Sequence, residues 1–423
     1  MKTRNKLEGF LLIALLLLIP FQGIISRSIP LQGTTREPKV VKTLLFNPQA
    51  EEEFVIYTHD SFLAWGLPDD YEEIMDTAFY DFGVANNVTV KLILFSGMVD
   101  ALQTLINQKN NPQADIVIGL DSVLVSEAKN EGVLEPYTEA NLANISNSLI
   151  NDLDPDKYLL PADYGLIALI FDTEYLSLST DPGLAQLTFE DLITTYAEDL
   201  AVQDPTLSST GINFLLYQLV YYEEILGEDW TEWWKAAKGK VSIDKSWSDS
   251  WDRVFSAKED HMLVSYGTDP AYNAFFNYSY EKNGVLIHGE EATTYGWMQI
   301  EGIGIVEGTT KLPLAKDYID YFLTEKVQSL IATNNWMFPA NQEVELPPCY
   351  DYAITPENVS VLNHLVSSEY IGENYHSWLS EWERVIYGTG LWWLWVTVSA
   401  VLVIIAGVVG VVVYRKRTKL DIE

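Results

Sequence analysis

V-T-V-K-L-I-L-F-S-G-M-V-D-A-L-Q-T-L-I-N-Q, residues 88–108, is the stretch that decides the predicted fold class. Its first eight residues alternate as a buried strand does, and residues 98–108 indicate a helix. A further strand, A-D-I-V-I at residues 114–118, ends in the turn that contains Asp121. A strand, a helix and a strand in succession predict a mainly parallel α/β sheet, whose loops gather at the carboxyl ends of the strands.

Similar patterns on both sides of this stretch extend the prediction to two lobes. F-V-I-Y at residues 54–57 predicts an earlier strand, and the apolar run at residues 166–171 predicts a crossing into a second lobe. We therefore predict a first lobe of residues 53–160 and a second lobe of residues 161–265. Residues 266–388 are predicted to return to the first lobe and to supply the C-terminal helices.

The composition restricts the classes of partner. The 423 residues include 60 Asp and Glu against 26 Lys and Arg, a formal net charge of -34. Such an excess of negative charge excludes nucleic acid as a partner and favours a cationic ligand. Cys349 is the sole cysteine, so that an intrachain disulfide and a thiolate metal cluster are both excluded.

The N-terminal residues predict export from the cell. Residues 1–27 have the layout of a secretory signal peptide, because Lys2, Arg4 and Lys6 precede an apolar block. Residues 28–52 are polar and mixed, and we interpret them as a spacer before the folded body.

The C-terminal residues predict an anchor. Residues 391–413 are uncharged and would form a helix about 34 Å long, which is enough to cross the hydrocarbon core of a membrane. The basic tail, residues 414–423, stays in the cytoplasm by the positive-inside rule. The predicted location is the cell membrane, with one transmembrane helix, an extracellular binding domain and a cytoplasmic C-terminus.

Three aromatic stretches on separate predicted loops suggest a ligand site. V-S-Y-G-T-D-P-A-Y at residues 264–272 indicates a buried strand that ends in a turn carrying Tyr266, Asp269 and Tyr272. Trp247 and Trp336 lie in similar polar, turn-like settings. An aromatic-lined cleft would suit a flat organic cation, because ring faces attract positive charge.

Polar residues follow other predicted strands and helices. His59, Asp60, Ser96 and Asp121 come just after strands, on the rim where open α/β sheets bind ligands. Ser208 and Ser209 precede a predicted helix that begins near Ile212. They would either cap that helix or provide a seat for an oxyanion or phosphate.

Several stretches are informative as an ordered set. They are Y-T-H-D-S-F-L-A-W-G (57–66), A-D-I-V-I-G-L-D (114–121), P-A-D-Y-G (161–165), Q-D-P-T-L-S-S-T-G (203–211), K-S-W-S (245–248), S-Y-G-T-D-P-A-Y (265–272) and N-W-M-F-P (335–339). With these stretches, the chain from about residue 54 to residue 386 resembles the solute-binding proteins of bacterial thiamine ABC transporters. The resemblance implies a two-lobed, periplasmic-binding-protein-like (type II) α/β fold with hinge crossovers, in addition to the predicted transmembrane helix.

The resemblance also implies roles for particular residues. The thiamine rings would lie among the aromatic side chains of Tyr57, Trp65, Tyr272 and Trp336. The hydroxyethyl or phosphate end of the ligand would be held by the side chains of Ser208, Ser209, Trp247 and Tyr266.

This sequence departs from the family at two places. Asp269 stands where the family has a serine, and its carboxylate should repel a phosphate, so that free thiamine is the expected ligand rather than its phosphate esters. An acidic E-D-G turn that helps to hold the rings is replaced by Ser96-Gly97-Met98. His59, Asp60 or Asp121 would then have to compensate.

The function implied by the resemblance is capture of thiamine by a membrane-tethered protein that delivers it to an ABC permease and its ATPase. No catalysis, cofactor or metal ion is expected. One alternative is the same architecture with another ligand, such as a polyamine, a quaternary or aromatic cation, or a ferric ion. A thiamine-degrading transferase would need a cysteine nucleophile, and Cys349 lies outside every predicted cleft loop.

Overall fold

A computed structural model describes residues 39–279, 281–289 and 293–388. The predicted signal peptide, transmembrane helix and basic tail lie outside these residues, as does the first part of the predicted spacer. None of the helices in the described ranges combines the length and the apolar character that a membrane span requires.

The described residues form short strands and helices that alternate along much of the chain. The strands are β1 Val40–Phe46, β2 Glu52–His59, β3 Val88–Phe95, β4 Ile116–Asp121, β5 Leu134–Glu135, β6 Leu160–Phe171, β7 Leu200–Gln203, β8 Ser242–Asp244, β9 Met262–Tyr266, β10 Gly284–Val285, β11 Ile287–His288, β12 Thr294–Gly296, β13 Met298–Val306, β14 Phe338–Pro339 and β15 Ser360–Val361. The α-helices are α1 Tyr71–Met75, α2 Asp81–Asn86, α3 Met98–Gln108, α4 Leu124–Asn130, α5 Asn147–Leu153, α6 Phe189–Thr194, α7 Ser209–Val220, α8 Thr231–Ala237, α9 Trp247–Trp251, α10 Asp269–Phe275, α11 Leu312–Phe322, α12 Glu325–Asn334 and α13 Ser368–Tyr387.

The main sheet is mixed rather than mainly parallel. Its principal path runs β1-β3-β2-β4-β13-β6-β9-β7-β8. β2 pairs in parallel with β3 and β4, and β7 pairs in parallel with β8 and β9, as the alternation of strands and helices predicts. β13 and β6 lie between these two groups and are antiparallel to their neighbours. The prediction of a mainly parallel sheet was therefore wrong at its centre, because strands that return from distant parts of the chain enter there.

The folded body begins earlier than predicted. Residues 40–46, V-V-K-T-L-L-F, form β1 and pair antiparallel with β3, and β2 already begins at Glu52. The spacer prediction was wrong for these residues. The physical reason is visible in the composition, since a run rich in Val, Leu and Phe extends an existing sheet readily.

Three large hydrophobic clusters pack against the sheet. One contains β2, β3 and β4 with α11 and α12, and a second lies largely on the other side of the same strands with α3 and α4. The third packs β6, β7 and β9 against α7 and α8. The long strand β6 contributes to all three, so that it connects the two ends of the sheet.

The C-terminal helix α13 bridges distant parts of the body. Its buried side chains, Trp378 and Trp382 among them, belong to the cluster around α7 and α8, and the Trp382 ring meets Trp234 of α8 at 5.5 Å. At its start, the Ser126 hydroxyl of α4 donates to the Ser368 carbonyl. The helix therefore contacts residues of both predicted lobes. The division of the chain into those lobes stays a prediction.

Candidate functional site

The stretch V-S-Y-G-T-D-P-A-Y places several polar and aromatic side chains together. β9 ends at Tyr266, and α10 begins at Asp269, with Pro270 in its first turn. The turn is thus only two residues long, and the residues from Asp269 to Tyr272, which were predicted to continue it, form the start of a helix. Proline is favoured at that position because its missing N–H would have no helical partner there.

Aromatic side chains from four segments meet beside α10. The Trp65 ring, from the loop after β2, contacts the Trp247 ring at the start of α9, with centroids 5.1 Å apart and planes at 90°. Tyr272 of α10 contacts the Trp65 ring at 6.5 Å and the Trp336 ring at 5.3 Å. Trp251 completes this aromatic cluster at 5.6 Å from the Tyr272 ring. The structure thus brings together four of the predicted site residues, Trp65, Trp247, Tyr272 and Trp336.

Hydrogen bonds fix the loop that carries Trp336. Its indole Nε1 donates to the Trp65 carbonyl at 2.9 Å, and the Trp65 N–H donates to the Asn334 carbonyl at 3.0 Å. Trp336 is only 4% exposed and has φ +55°, a left-handed conformation that is uncommon for a bulky residue. Such local strain is maintained only where the surroundings determine the geometry, and here they orient the indole ring.

A chain of hydrogen bonds runs from Trp247 to Asp269. The Trp247 indole Nε1 donates to the Ser265 hydroxyl at 2.7 Å, and that hydroxyl donates to the Asp269 carboxylate. Burial raises the pKa of Asp269 to about 7, although its hydrogen bonds to Ser265 and to the Tyr266 backbone oppose the shift. Asp269 and Trp247 are therefore connected through Ser265, a residue that the sequence reasoning did not select.

Tyr266 connects the start of α7 to the central strand β13. Its hydroxyl lies 3.0 Å from the Thr210 hydroxyl and donates to Gln299 Oε1 at 3.0 Å. The Gln299 amide in turn donates to Glu301 at 3.0 Å. Burial, and then the charge of Glu301, raise the pKa of Tyr266. Tyr266 thus remains a neutral phenol in a hydrogen-bonded network.

The two serines before α7 differ in their surroundings. Ser208 is the N-cap residue, and its hydroxyl accepts from the Gly211 N–H at 3.3 Å. Ser209 is the first helical residue and is partly exposed, and its carbonyl accepts from the Asn213 amide. Of the two roles left open for these residues, the structure gives N-capping to Ser208.

Three predicted site residues lie away from the aromatic cluster. Tyr57 is 2% exposed, contacts the Phe95 ring in the core and donates its hydroxyl to Gln108 of α3, so that stacking of its ring in the cluster is contradicted. The period of the strand turns Tyr57 toward α3. Asp60 is exposed beyond the end of β2, and the Ser96 hydroxyl donates to Asp100 at 2.7 Å.

His59 and Asp121 lie near the central strand. The His59 Nδ1 lies 2.7 Å from the Ser61 hydroxyl, while its Nε2 lies 3.7 Å from a Glu301 carboxylate oxygen. β4 approaches His59 closely at Gly119, where φ is +104° and a Cβ would lie 3.0 Å from His59 Cδ2. Burial raises the pKa of Asp121 to about 6.

Several residues of this region were missed by the sequence reasoning. Asp163 lies within P-A-D-Y-G, which contributed to the resemblance without a role being assigned to it. Glu301 lies in an apolar strand, where a single charged residue is the signal that should have been noticed. Cys349 packs against the cluster that contains Trp336, which corrects the expectation that it lies outside the cleft loops. In the described part of the chain, no group of three or more His, Cys, Asp or Glu side chains could hold a metal ion.

Comparisons with known proteins agree on one family. Residues 77–355 match the family described as bacterial extracellular solute-binding protein. The chain is 28% identical over 336 residues to the thiamine-binding periplasmic protein of Brucella abortus biovar 1 (strain 9-941), covering 79% of this chain and 92% of that protein. It is 26% identical over 340 residues to the protein of the same name from Escherichia coli (strain K12), covering 80% and 94%.

A solved structure shares the fold. It is described as a periplasmic thiamin binding protein, and it matches with a TM-score of 0.65 and 23% identity over 79% of this chain and 96% of that one. The predicted α/β, periplasmic-binding-protein-like fold is therefore confirmed.

Proposed function

The chain belongs to the bacterial extracellular solute-binding proteins, and from that premise we propose that it captures thiamine and delivers it to an ABC permease with its ATPase. The observation that carries this proposal is the aromatic cluster of Trp65, Trp247, Tyr272 and Trp336. The relatives described above carry thiamine in their printed names. A solute-binding role in transport needs no reaction at the site.

The chemistry of the cluster suits a flat cation. Indole and phenol faces attract positive charge, by about 2 kcal/mol per contact when water is excluded. The chain also places the buried carboxyl groups of Asp269 and Asp163 and the partly buried one of Glu301 in this region. Across residues 39–279, 281–289 and 293–388, none of the three forms an ion pair with a lysine or arginine. A ligand with one positive charge and an aromatic ring would therefore satisfy both features.

Asp269 supports a preference for the free vitamin. Its carboxyl group is buried and is joined through Ser265 to the Trp247 indole, which is the group expected at the hydroxyethyl or phosphate end. A phosphate placed there would face a carboxyl group that becomes negatively charged as the pH rises through about 7. We therefore propose selection of thiamine over its phosphate esters.

A membrane tether is part of the proposal. The apolar run at residues 391–413 and the basic tail beyond it support an anchored protein with an external binding domain and a cytoplasmic C-terminus. Tethering would keep the binding domain near its permease at a high effective concentration.

Cys349 does not favour an enzymatic function. Burial raises the pKa of its thiol, so that the thiolate needed for nucleophilic attack is disfavoured. Proximity to the aromatic cluster is therefore insufficient for the chemistry of a thiamine-degrading transferase.

Calorimetry on the full chain in detergent tests the proposed ligand. We expect heat of binding with thiamine, weaker binding of thiamine monophosphate, and none with spermidine or ferric citrate. Substitution Trp65→Ala should weaken thiamine binding by about tenfold or more, since it removes one ring face. Tyr175→Ala is the matched control, because Tyr175 is an exposed aromatic residue that stacks on His261 outside the cluster. Binding of spermidine or ferric citrate, without binding of thiamine, would contradict the proposal that thiamine is the ligand.

A further inference from the structure

Three acidic residues form a row across the centre of the sheet. Glu301 of β13 pairs with Asp121 of β4 on one side and with Asp163 of β6 on the other. Directly paired residues of antiparallel strands point to the same face of the sheet, so that the three carboxyl groups are neighbours. They differ in how their oxygens are used.

Asp121 has a structural role. One of its oxygens accepts the N–H groups of Val123 and Leu124, both at 3.1 Å, at the start of α4. The other accepts from the Asn213 amide of α7 at 2.9 Å. Both oxygens are thus occupied by protein donors.

One carboxylate oxygen of Asp163 lacks a hydrogen-bond donor in the described part of the chain. Oδ2 accepts from the Asn335 amide at 2.9 Å, whereas the buried Oδ1 has no hydrogen-bond partner among the described residues. The residue is only 1% exposed. Burial, and then the charge of Glu301, raise its pKa well above the ordinary value. A buried acceptor without a donor is costly, and it is therefore an informative feature.

The side chains of Glu301 and His59 lie close to each other. The side chains of His59 and Glu301 are 15% and 12% exposed, and the His59 Nε2 lies 3.7 Å from Glu301 Oε2, beyond hydrogen-bond distance. The other carboxylate oxygen of Glu301, Oε1, accepts from the Gln299 amide. Like Asp163 Oδ1, the buried Nε2 atom has no hydrogen-bond partner in the described part of the protein.

Asp163 is connected to the chain segment that carries Trp336. Its carboxylate accepts from the Asn335 amide at 2.9 Å, and Asn335 immediately precedes Trp336. β14, which follows Trp336, pairs Pro339 with Asp163. Asp163 is therefore held by the same segment that brings the Trp336 ring into the aromatic cluster.

We propose that Asp163, with Glu301 beside it, accepts the N–H donors of the bound ligand, and that Asp163 thereby decides specificity. This inference rests on the proposed function. For thiamine, the donor is the amino group of its pyrimidine ring. A bound N–H donor stabilises the ionised form of Asp163, which accepts from an amino group. The oxo group of an analogue would place its acceptor oxygen against the acceptor oxygen of Asp163, so that the analogue is rejected.

Asp163→Asn tests this assignment with little change in shape. The Asn side chain keeps an acceptor for Asn335 and places an amide N–H where the unpartnered oxygen lies in the native protein. Calorimetry on the full chain would compare thiamine with oxythiamine, in which an oxo group replaces the pyrimidine amino group. We expect the native protein to prefer thiamine by roughly tenfold or more, and Asp163→Asn to abolish or reverse that preference.

Two further variants distinguish the possible results. Asp115→Asn is the matched control, because Asp115 is also buried but accepts from the Val55 N–H and pairs with Lys311, and it should lower stability while leaving the ratio of the two affinities unchanged. Glu301→Gln provides a second test if Asp163→Asn does not fold, and we expect it to reduce the ratio in the same direction. An unchanged ratio in Asp163→Asn, or in Glu301→Gln if that variant must be used, overturns the inference while thiamine binding itself stands. If the native protein binds neither compound, the proposed function falls together with the inference.

Discussion

At the residue scale, the sequence selected aromatic side chains that the structure brings together, and it passed over two acidic residues of the central sheet, Asp163 and Glu301. Trp247 and Trp336 were recognisable because each stands in a polar, turn-like setting instead of an apolar stripe, whereas Trp65 was selected through the resemblance. Tyr57 was placed wrongly and Asp163 received no role, because the direction of a strand side chain depends on register and bulges, which single residues do not reveal. The register is irregular at this point of β6 and β13, between Glu301 and Gly302.

Asp269 should make stability depend on pH. Burial raises its pKa to about 7 in the folded protein, while the unfolded value is near 4. Between these values the folded state holds a proton that the unfolded state has lost, so this group's contribution to stability falls as the pH rises from about 4 to about 7. Asp269→Asn removes that decrease, and at pH 8 we expect the variant to be more stable by about 4 kcal/mol.

Urea unfolding of the ligand-free native protein and of Asp269→Asn, at pH 4, 6 and 8, measures this difference. Subtracting the two curves removes the contributions of Asp121 and Asp163, which both proteins share. Curves that remain parallel across this range would contradict the role given to Asp269.

At the element scale, local patterns predicted β3 and α3 with the bounds that the structure has. Their hydrophobic periodicity and the break at residues 96 and 97 determine them within a short stretch of chain. The antiparallel placement of β13 between β4 and β6 could not be predicted in this way. It depends on pairing between residues more than 100 positions apart, for which a single sequence carries no signal.

Two serines at the start of α7 allow the effect of helix capping on stability to be distinguished from an effect on ligand affinity. Ser208→Ala removes the acceptor for the Gly211 N–H, and we expect stability to fall by about 1 kcal/mol with little change in thiamine affinity. Ser209→Ala should leave stability within about 0.5 kcal/mol and weaken binding several-fold, if its hydroxyl contacts the ligand. Unfolding in urea and calorimetry on the same samples measure both quantities. Weaker binding in Ser208→Ala without any loss of stability would contradict the capping role.

At the scale of the whole molecule, the aromatic cluster joins segments from distant parts of the mixed sheet. The contact between Trp65 and Trp247 joins segments that follow β2 and β8, strands that lie toward opposite ends of the sheet path. A ligand held between such segments would be enclosed from both sides. Hinge motion between the two predicted lobes would let the ligand enter. Both the lobes and their motion stay predictions.

The most direct test of the central claim is a crystal structure of the protein with thiamine. We predict that the ring system of the ligand lies within about 4 Å of the side chains of Trp65, Tyr272 and Trp336. The pyrimidine amino group should then point toward Asp163. Thiamine bound elsewhere on the protein, with the rings of this cluster packed only against one another, would contradict the account.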